Sequence, residues 1–229
     1  MAKTVVIHQP DFIPYPGFFH RLLHCDCFVL LDHVQFNRRG WHHRDKIKGL
    51  QGETWLSIPI RNIGKIKQID KARIDNSTNW QKRHLNMLNS YYGKAKYFDK
   101  IFPAISAIYN QPVDLMTEFN YKFLKLLMEL LDIRVDCFFS SDMQIQTKKN
   151  QMNVDIVRKI GGSRYFSGLG AKDYIDAELF KKNGIELVWQ KYNAPVYPQL
   201  HGEFLPNLSS VDLLFNCGVE DSRKILRRC

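Results

Sequence analysis

The side chains suited to chemistry fall in a few short blocks. The first is His8-Gln9-Pro10-Asp11-Phe12-Ile13-Pro14-Tyr15-Pro16-Gly17, directly after the apolar run Val5-Val6-Ile7. A strand ending there presents His8 and Gln9 at its carboxyl end, where an imidazole can act as general base and an amide can face an oxyanion. Three prolines stiffen the loop, because each ring fixes its own φ. Gly17 starts a predicted helix, whose dipole favours phosphate, and joins Tyr15 as a candidate substrate contact. The plain alternative is a rigid turn whose histidine binds backbone.

The second block runs from Asp32 to Lys46. Asp32 closes a predicted strand, so its carboxylate is a second candidate base facing the cleft of His8. Arg38, Arg39, Arg44 and Lys46 suit a diphosphate, since guanidinium forks match its oxygens, Gln35 is a candidate oxyanion donor, and Trp41 offers a ring to stack on a base or sugar. The alternative is a solvated basic loop. In the third block, Ser167-Gly168-Leu169-Gly170-Ala171-Lys172-Asp173-Tyr174, glycines and a lysine follow a strand as in a phosphate cradle, although GxxxxGK[ST] is absent. The alternative is an ordinary strand-to-helix turn. His84 lies one helical turn from Trp80 and is the third candidate base, with a hydrogen-bonded core histidine as the competing reading. Tyr197 and Gln199 sit in a proline-fixed loop that either closes over a sugar or acyl group or packs the C-terminus. The adjacent pair His42-His43 lacks the i,i+4 spacing of a helical zinc site. The five cysteines, Cys25, Cys27, Cys137, Cys217 and Cys229, form no CxxC pair. No metal is expected, and the cysteines are read mostly as core thiols of a reducing compartment.

Positioning these groups falls to elements that the pattern predicts in order. Thr4 to Gln9 reads as a buried strand, Gly17 to His24 as a short helix and Cys27 to Leu31 as a second strand, the opening of a parallel α/β sheet. Between Gln35 and Lys67 eight Lys or Arg face only Asp45 and Glu53, and alternation at Trp55, Ser57 and Pro59 predicts short antiparallel or extended segments. A helical insert over 77–131 follows, with three helices: one carrying Trp80, His84, Leu88 and Tyr91, one from Tyr97 to Tyr109, and one from Asp114 to Leu131. The sheet resumes with a strand at Ile133–Phe139, a helix at Asn150–Ile160, a strand at Arg164–Ser167, a helix ended by Gly184, and a strand at Ile185–Trp189. Ser209 caps a last helix that Gly218 closes. The expectation is a single α/β domain over 1–229, built on a mostly parallel Rossmann-like sheet. Ligands of such sheets bind at the carboxyl ends of the strands.

The chain has 229 residues, 45% apolar and 24% charged, which excludes a disordered polymer. No apolar run approaches the ~20 residues of a membrane span. The N-terminus reaches His8 and Gln9 before a signal-peptide core forms, so the expected compartment is the cytoplasm. Lys and Arg number 33 against 23 Asp and Glu, leaving +10; such a charge attracts nucleotides, nucleic acid or anionic membrane without choosing among them.

The blocks together resemble the WbqC-like family. The resemblance rests on His8-Gln9-Pro10 with Pro14-Tyr15-Pro16-Gly17, Asp26 to Asp32 with Val34-Gln35-Phe36, and Trp80 with His84. Tyr165-Phe166-Ser167-Gly168 with Lys172-Asp173-Tyr174, Pro195 to Gln199 and Leu208 to Leu214 complete it. Members occur with bacterial surface-polysaccharide genes. The resemblance implies transfer of glycine or another small acyl or aminoacyl group to the amine of a nucleotide-linked amino sugar, as in O-antigen biosynthesis. The donor stays open among an acyl-carrier protein, an amino acid activated by ATP and a charged tRNA, and the oligomeric state is not read. A more distant likeness is to nucleotidylyltransferases and class I aminoacyl-tRNA synthetases, whose His-x-Gly-His faces ATP. Here Tyr15-Pro16-Gly17-Phe18 keeps only the glycine. Competing readings are an ATP-dependent enzyme of that kind, or a basic module that holds a nucleotide or RNA without turnover.

Overall fold

The fold was read from a computed structural model, which describes residues 2–229. Its centre is a five-stranded parallel sheet in the order β5-β2-β1-β6-β7. The strands are β1 (Thr4–His8), β2 (Cys27–Leu30), β5 (Asp136–Phe139), β6 (Arg164–Ser167) and β7 (Glu186–Trp189). The central strands read as unbroken apolar runs because both faces are covered. Val6 and Phe28 point into one core cluster, while Val5, Ile7, Cys27 and Val29 point into the other. This is an α/β fold of the Rossmann-like kind.

The first layer of helices faces Val5 and Ile7: Val154, Ile156 and Val157 of α5 (Lys149–Lys159) and Phe180 of α6 (Ala177–Lys182). The thicker layer on the other face contains α1 (Pro16–Leu22) and the helices α2 (Trp80–Tyr92), α3 (Phe98–Tyr109) and α4 (Met116–Leu130). It also contains the antiparallel hairpin β3 (Arg44–Gly49) and β4 (Gly52–Ser57), and the C-terminal α7 (Ser210–Arg227). Trp80, Tyr109, Phe119 and Phe123 pack ring against ring here, with centroids 5.1 to 5.8 Å apart.

Most predicted elements stand within a few residues of their predicted bounds. Two depart. The strand expected at Ile133 starts at Asp136, after Asp132 takes a positive φ of 54°. Gly218 does not end the last helix. Its φ of 76° bends α7, which continues to Arg227. A Cβ at Gly218 would stand 2.7 Å from the Tyr97 ring, so glycine is required both by the backbone and by the ring packed against it.

Candidate functional site

Strand order reverses between β1 and β6, which places the crevice of an open α/β sheet at their carboxyl ends. His8 ends β1. Its Nδ1–H donates to the Gln9 carbonyl at 3.0 Å and lies 3.4 Å from Asp11 Oδ2, which leaves Nε2 as the free lone pair. A third of the His8 side chain stays open to solvent, whereas Asp11 behind it is buried. Dense packing and the nearby Arg21 charge push the His8 imidazole down to about 3, so it is neutral near pH 7. Burial drives Asp11 the other way, up to about 7, with Arg21 opposing.

Arg21 lies at 5% exposure on α1. One guanidinium nitrogen donates to Gln190 Oε1 at 2.9 Å, and the other, Nη2, is buried without a partner. Gln190, just past β7, also donates to the Gly17 carbonyl at 2.8 Å and to His20 Nδ1 at 3.1 Å. That amide therefore fixes α1 and its arginine against the sheet. A Cβ at Gly168 would come within 2.9 Å of Arg21 Nη1. Gly168 is thus the gap through which the guanidinium reaches the end of β6. Tyr15 Oη is 3.5 Å from the same nitrogen, and the Tyr15 ring meets Tyr192 edge-on. A buried cation with an unused N–H fork costs several kcal/mol unless something anionic fills it, and phosphate or carboxylate has the matching geometry.

The structure brings together His8, Gln9, Tyr15, Gly17, Ser167 and Gly168 from the expected set, for partly different reasons than the sequence suggested. Gly17 makes room for the rings of Tyr15 and Tyr192, which would stand 2.3 and 2.8 Å from its Cβ. The phosphate cradle after β6 is partly spent on itself: Ala171 N–H donates to the Gly168 carbonyl and Lys172 N–H to that of Leu169. Lys172, Asp173 and Tyr174 follow on an exposed turn tied to α5 through Asn150. Among the described residues no hydrogen bond or ion pair joins them to His8 or Arg21.

Asp32 stands at the carboxyl edge, but its carboxylate is already used. Its oxygens accept from the hydroxyls of Ser140 and Ser141 and from the Ser141 amide at 2.7 to 2.9 Å, tying β2 to β5. The structure therefore makes Asp32 a strand-to-strand tie rather than a free base. His84 is 1% exposed, with Nε2–H donating to the Ser57 carbonyl and Nδ1 accepting from Tyr109. Both ring nitrogens are occupied inside the aromatic core, and burial lowers the imidazole to about 4. Tyr197 and Gln199 are engaged within the fold. Tyr197 and Tyr92 donate to the two oxygens of buried Asp212 at 2.8 Å, while Gln199 accepts from Lys48 at 3.1 Å.

Gln35, Arg38, Arg39, Trp41, Arg44 and Lys46 gather on the loop and hairpin beside the crevice rather than in it. Trp41 is 48% exposed, and its carbonyl accepts from Phe12 N–H, next to Asp11. Two open concavities lie elsewhere, one along α2 by Lys82 and Tyr91, the other by Cys25 and Arg134. Neither is lined by His8, Asp32 or Lys172. Among the described residues no three His, Cys, Asp or Glu side chains are grouped to hold a metal, and no helix is long and apolar enough to cross a membrane.

Sequence reasoning missed Asp11, Arg21 and Gln190. Asp11 was legible as a carboxylate three residues after His8, but Arg21 looks like a surface cation of a short helix until the sheet edge buries it.

With this geometry in view, the match to known proteins is specific. Residues 9–224 match the WbqC-like protein family. The chain belongs to that family. It is also 30% identical over 229 residues to the uncharacterized protein Rv1507c of Mycobacterium tuberculosis, covering 99% of each chain. No solved structure matches. In this WbqC-like chain Asp11 and Arg21 lie within the matched residues, and His8 immediately precedes them.

Proposed function

We propose that the crevice between β1 and β6 is an active site that transfers glycine or another small acyl group to the amine of a nucleotide-linked amino sugar. Family membership points to a biosynthetic role in polysaccharide synthesis, and the finer assignment is our reading of the site. The observation that carries it is the buried Arg21 Nη2 with no partner, beside a neutral His8 imidazole that lies 3.4 Å from Asp11, whose carboxyl burial raises to about 7.

Arg21 takes the diphosphate as a forked, charge-assisted contact. His8 Nε2 is the free lone pair that takes the substrate proton, and Asp11 lies behind Nδ1 at 3.4 Å, where it can steady the imidazolium. His8 removes one proton from the sugar ammonium. The freed amine attacks the acyl carbonyl carbon and a C–N bond forms. The adduct nitrogen releases its second proton to solvent as the tetrahedral intermediate collapses, and the donor's leaving group departs with the proton that His8 had taken from the ammonium. Gln9, next to His8 in the chain, is our candidate donor to the developing oxyanion. Phosphate on Arg21 also offsets the positive charge that depresses His8, so substrate binding makes the base stronger.

Mass spectrometry of the purified protein with dTDP- and UDP-linked amino sugars and a panel of glycyl and acyl donors tests this. The expected result is a mass gain on the sugar that falls by about 10²–10⁴ in Asp11→Asn and is lost in Arg21→Gln through failed sugar-nucleotide binding. Wild-type rates in His8→Gln and Arg21→Gln would overturn it.

A further inference from the structure

The outer face of the β3–β4 hairpin is a cationic aromatic surface that the crevice chemistry leaves unused. Trp41 and Trp55 are 48% and 38% exposed, with ring centroids 5.5 Å apart and planes inclined by 34°. The Arg44 guanidinium lies 4.4 Å over the Trp55 ring and donates to the Arg39 carbonyl at 3.0 Å. Arg38 in turn donates to the Gly64 carbonyl at 3.1 Å, next to Lys65. These contacts tie Trp55 and Arg44 to the Arg38–Arg39 turn and that turn to Gly64–Lys65, so four cations and two indoles share this stretch of surface, with Arg38, Arg39 and Lys65 exposed. Among the described residues no carboxylate pairs with any of those four cations, whereas Lys46 is taken by Glu53. The stretch starts beside the site, because the Trp41 carbonyl holds the amide of Phe12, the neighbour of Asp11.

Unpaired cations in a row with exposed indoles fit an unpaired nucleic-acid strand, whose phosphates follow the cations and whose bases stack on the rings. A free sugar nucleotide has too few phosphates to use the whole stretch. We propose that this face docks a single-stranded RNA end whose terminal ribose carries an ester-linked aminoacyl group, so that the donor is a charged tRNA. The docking surface stands by itself, while the donor role rests on the transfer reaction proposed above. In that role the sugar amine, freed of its ammonium proton by His8, attacks the ester carbonyl; the C–N bond forms, the adduct nitrogen releases its second proton to solvent, the ester C–O bond breaks, and the ribose hydroxyl leaves with the proton from His8. No ATP is consumed in the step.

The test uses the full chain and a short fluorescein-labelled single-stranded RNA ending in CCA. Anisotropy across a salt series should show affinity falling with log[salt] at a slope of about −3, as expected for some four or five neutralised phosphates at roughly 0.7 each. Trp41→Ala should weaken binding by about tenfold or more, from the loss of a stacked base, without changing the binding of a UDP-amino sugar. Arg44→Gln with Lys65→Gln gives a second arm independent of Trp41, and should reduce the slope. Equal affinity for a blunt RNA duplex, with no effect of Trp41→Ala, would overturn the proposal in favour of nonspecific basic charge. Binding to phosphatidylserine vesicles but not to the RNA would overturn it in favour of a membrane surface. Glycine passing from glycyl-tRNA to the sugar supports the donor role. RNA binding together with transfer only from a non-RNA donor overturns that role, and loss of transfer from every donor counts against the active-site reading instead.

Discussion

At the scale of single residues, burial moves both Asp11 and His8 away from their ordinary titration ranges. Asp11 is raised to about 7 by burial, so between its ordinary value of 3.8 and 7 the folded chain binds a proton that the unfolded chain has released. Stability from this group is therefore full below about pH 4 and is lost as pH rises through 7. His8, lowered to about 3, works in the opposite direction: the unfolded chain gains a proton first as pH falls below 6.5, so its contribution is lost on acidification. Asp11→Asn removes only the first effect. The variant should gain stability relative to wild type, by up to ~4 kcal/mol, between about pH 4 and pH 8, as read by urea melts at both ends. Identical differences at both pH values would show that Asp11 titrates normally. Activity should rise with pH through about 7 in the wild type and lose that rise in the same variant. Arg21→Met is expected to be as stable as wild type or more so, by about 1–3 kcal/mol, while losing sugar-nucleotide binding, because a buried cation retained for a ligand costs stability in its absence. A marked fall in its thermal midpoint would instead make Arg21 a structural residue.

At the scale of elements, the polar groups between segments act as fasteners. Asp212 at the start of α7 receives hydroxyls from α2 and from the loop after β7, and Lys48 N–H donates to the same Tyr92 oxygen. Tyr197→Phe should cost about 1–3 kcal/mol by leaving one buried carboxylate oxygen unpaired, with kcat and KM unchanged. A large change in KM would restore the loop to the role of a ligand cover. Gly218→Ala should cost more, at least about 1–2 kcal/mol from the positive φ plus the Tyr97 clash, seen as a lower urea midpoint. These outcomes show what was legible locally. Gly184 takes a φ of 71° just past α6, as its residue type indicated, and Asp176 caps the start of that helix through Leu179 N–H. Asp32 was legible as a strand-end carboxylate but not as a bonded one, since Ser140 and Ser141 lie more than a hundred residues away.

At the scale of the molecule, the helices over 77–131 share one core with the sheet and the C-terminal helix. Trp80, Phe119 and Phe123 belong to the same cluster as Val6, Phe28 and Phe215. The chain is therefore expected to unfold as one unit, with tryptophan fluorescence and far-UV circular dichroism coinciding in urea, and deletion of 77–131 should leave no folded remainder. Separate transitions would identify the insert as a domain of its own. The charge of +10 is likewise distributed rather than general: Lys48 and Arg21 are buried, and Arg38, Arg39 and Lys65 line the surface beside the crevice.

The sequence by itself determined the order and type of the elements, because apolar periodicity, caps and glycines act over a few neighbouring residues. It also determined that His8 stands at the end of a central strand. Only the tertiary structure decided which side chains are free to react, because that depends on partners distant in the chain. Asp32 and His84 found theirs and became scaffold. Arg21 was carried into the interior with one fork unfilled, and Asp11 was buried deeply enough to hold its proton near neutrality.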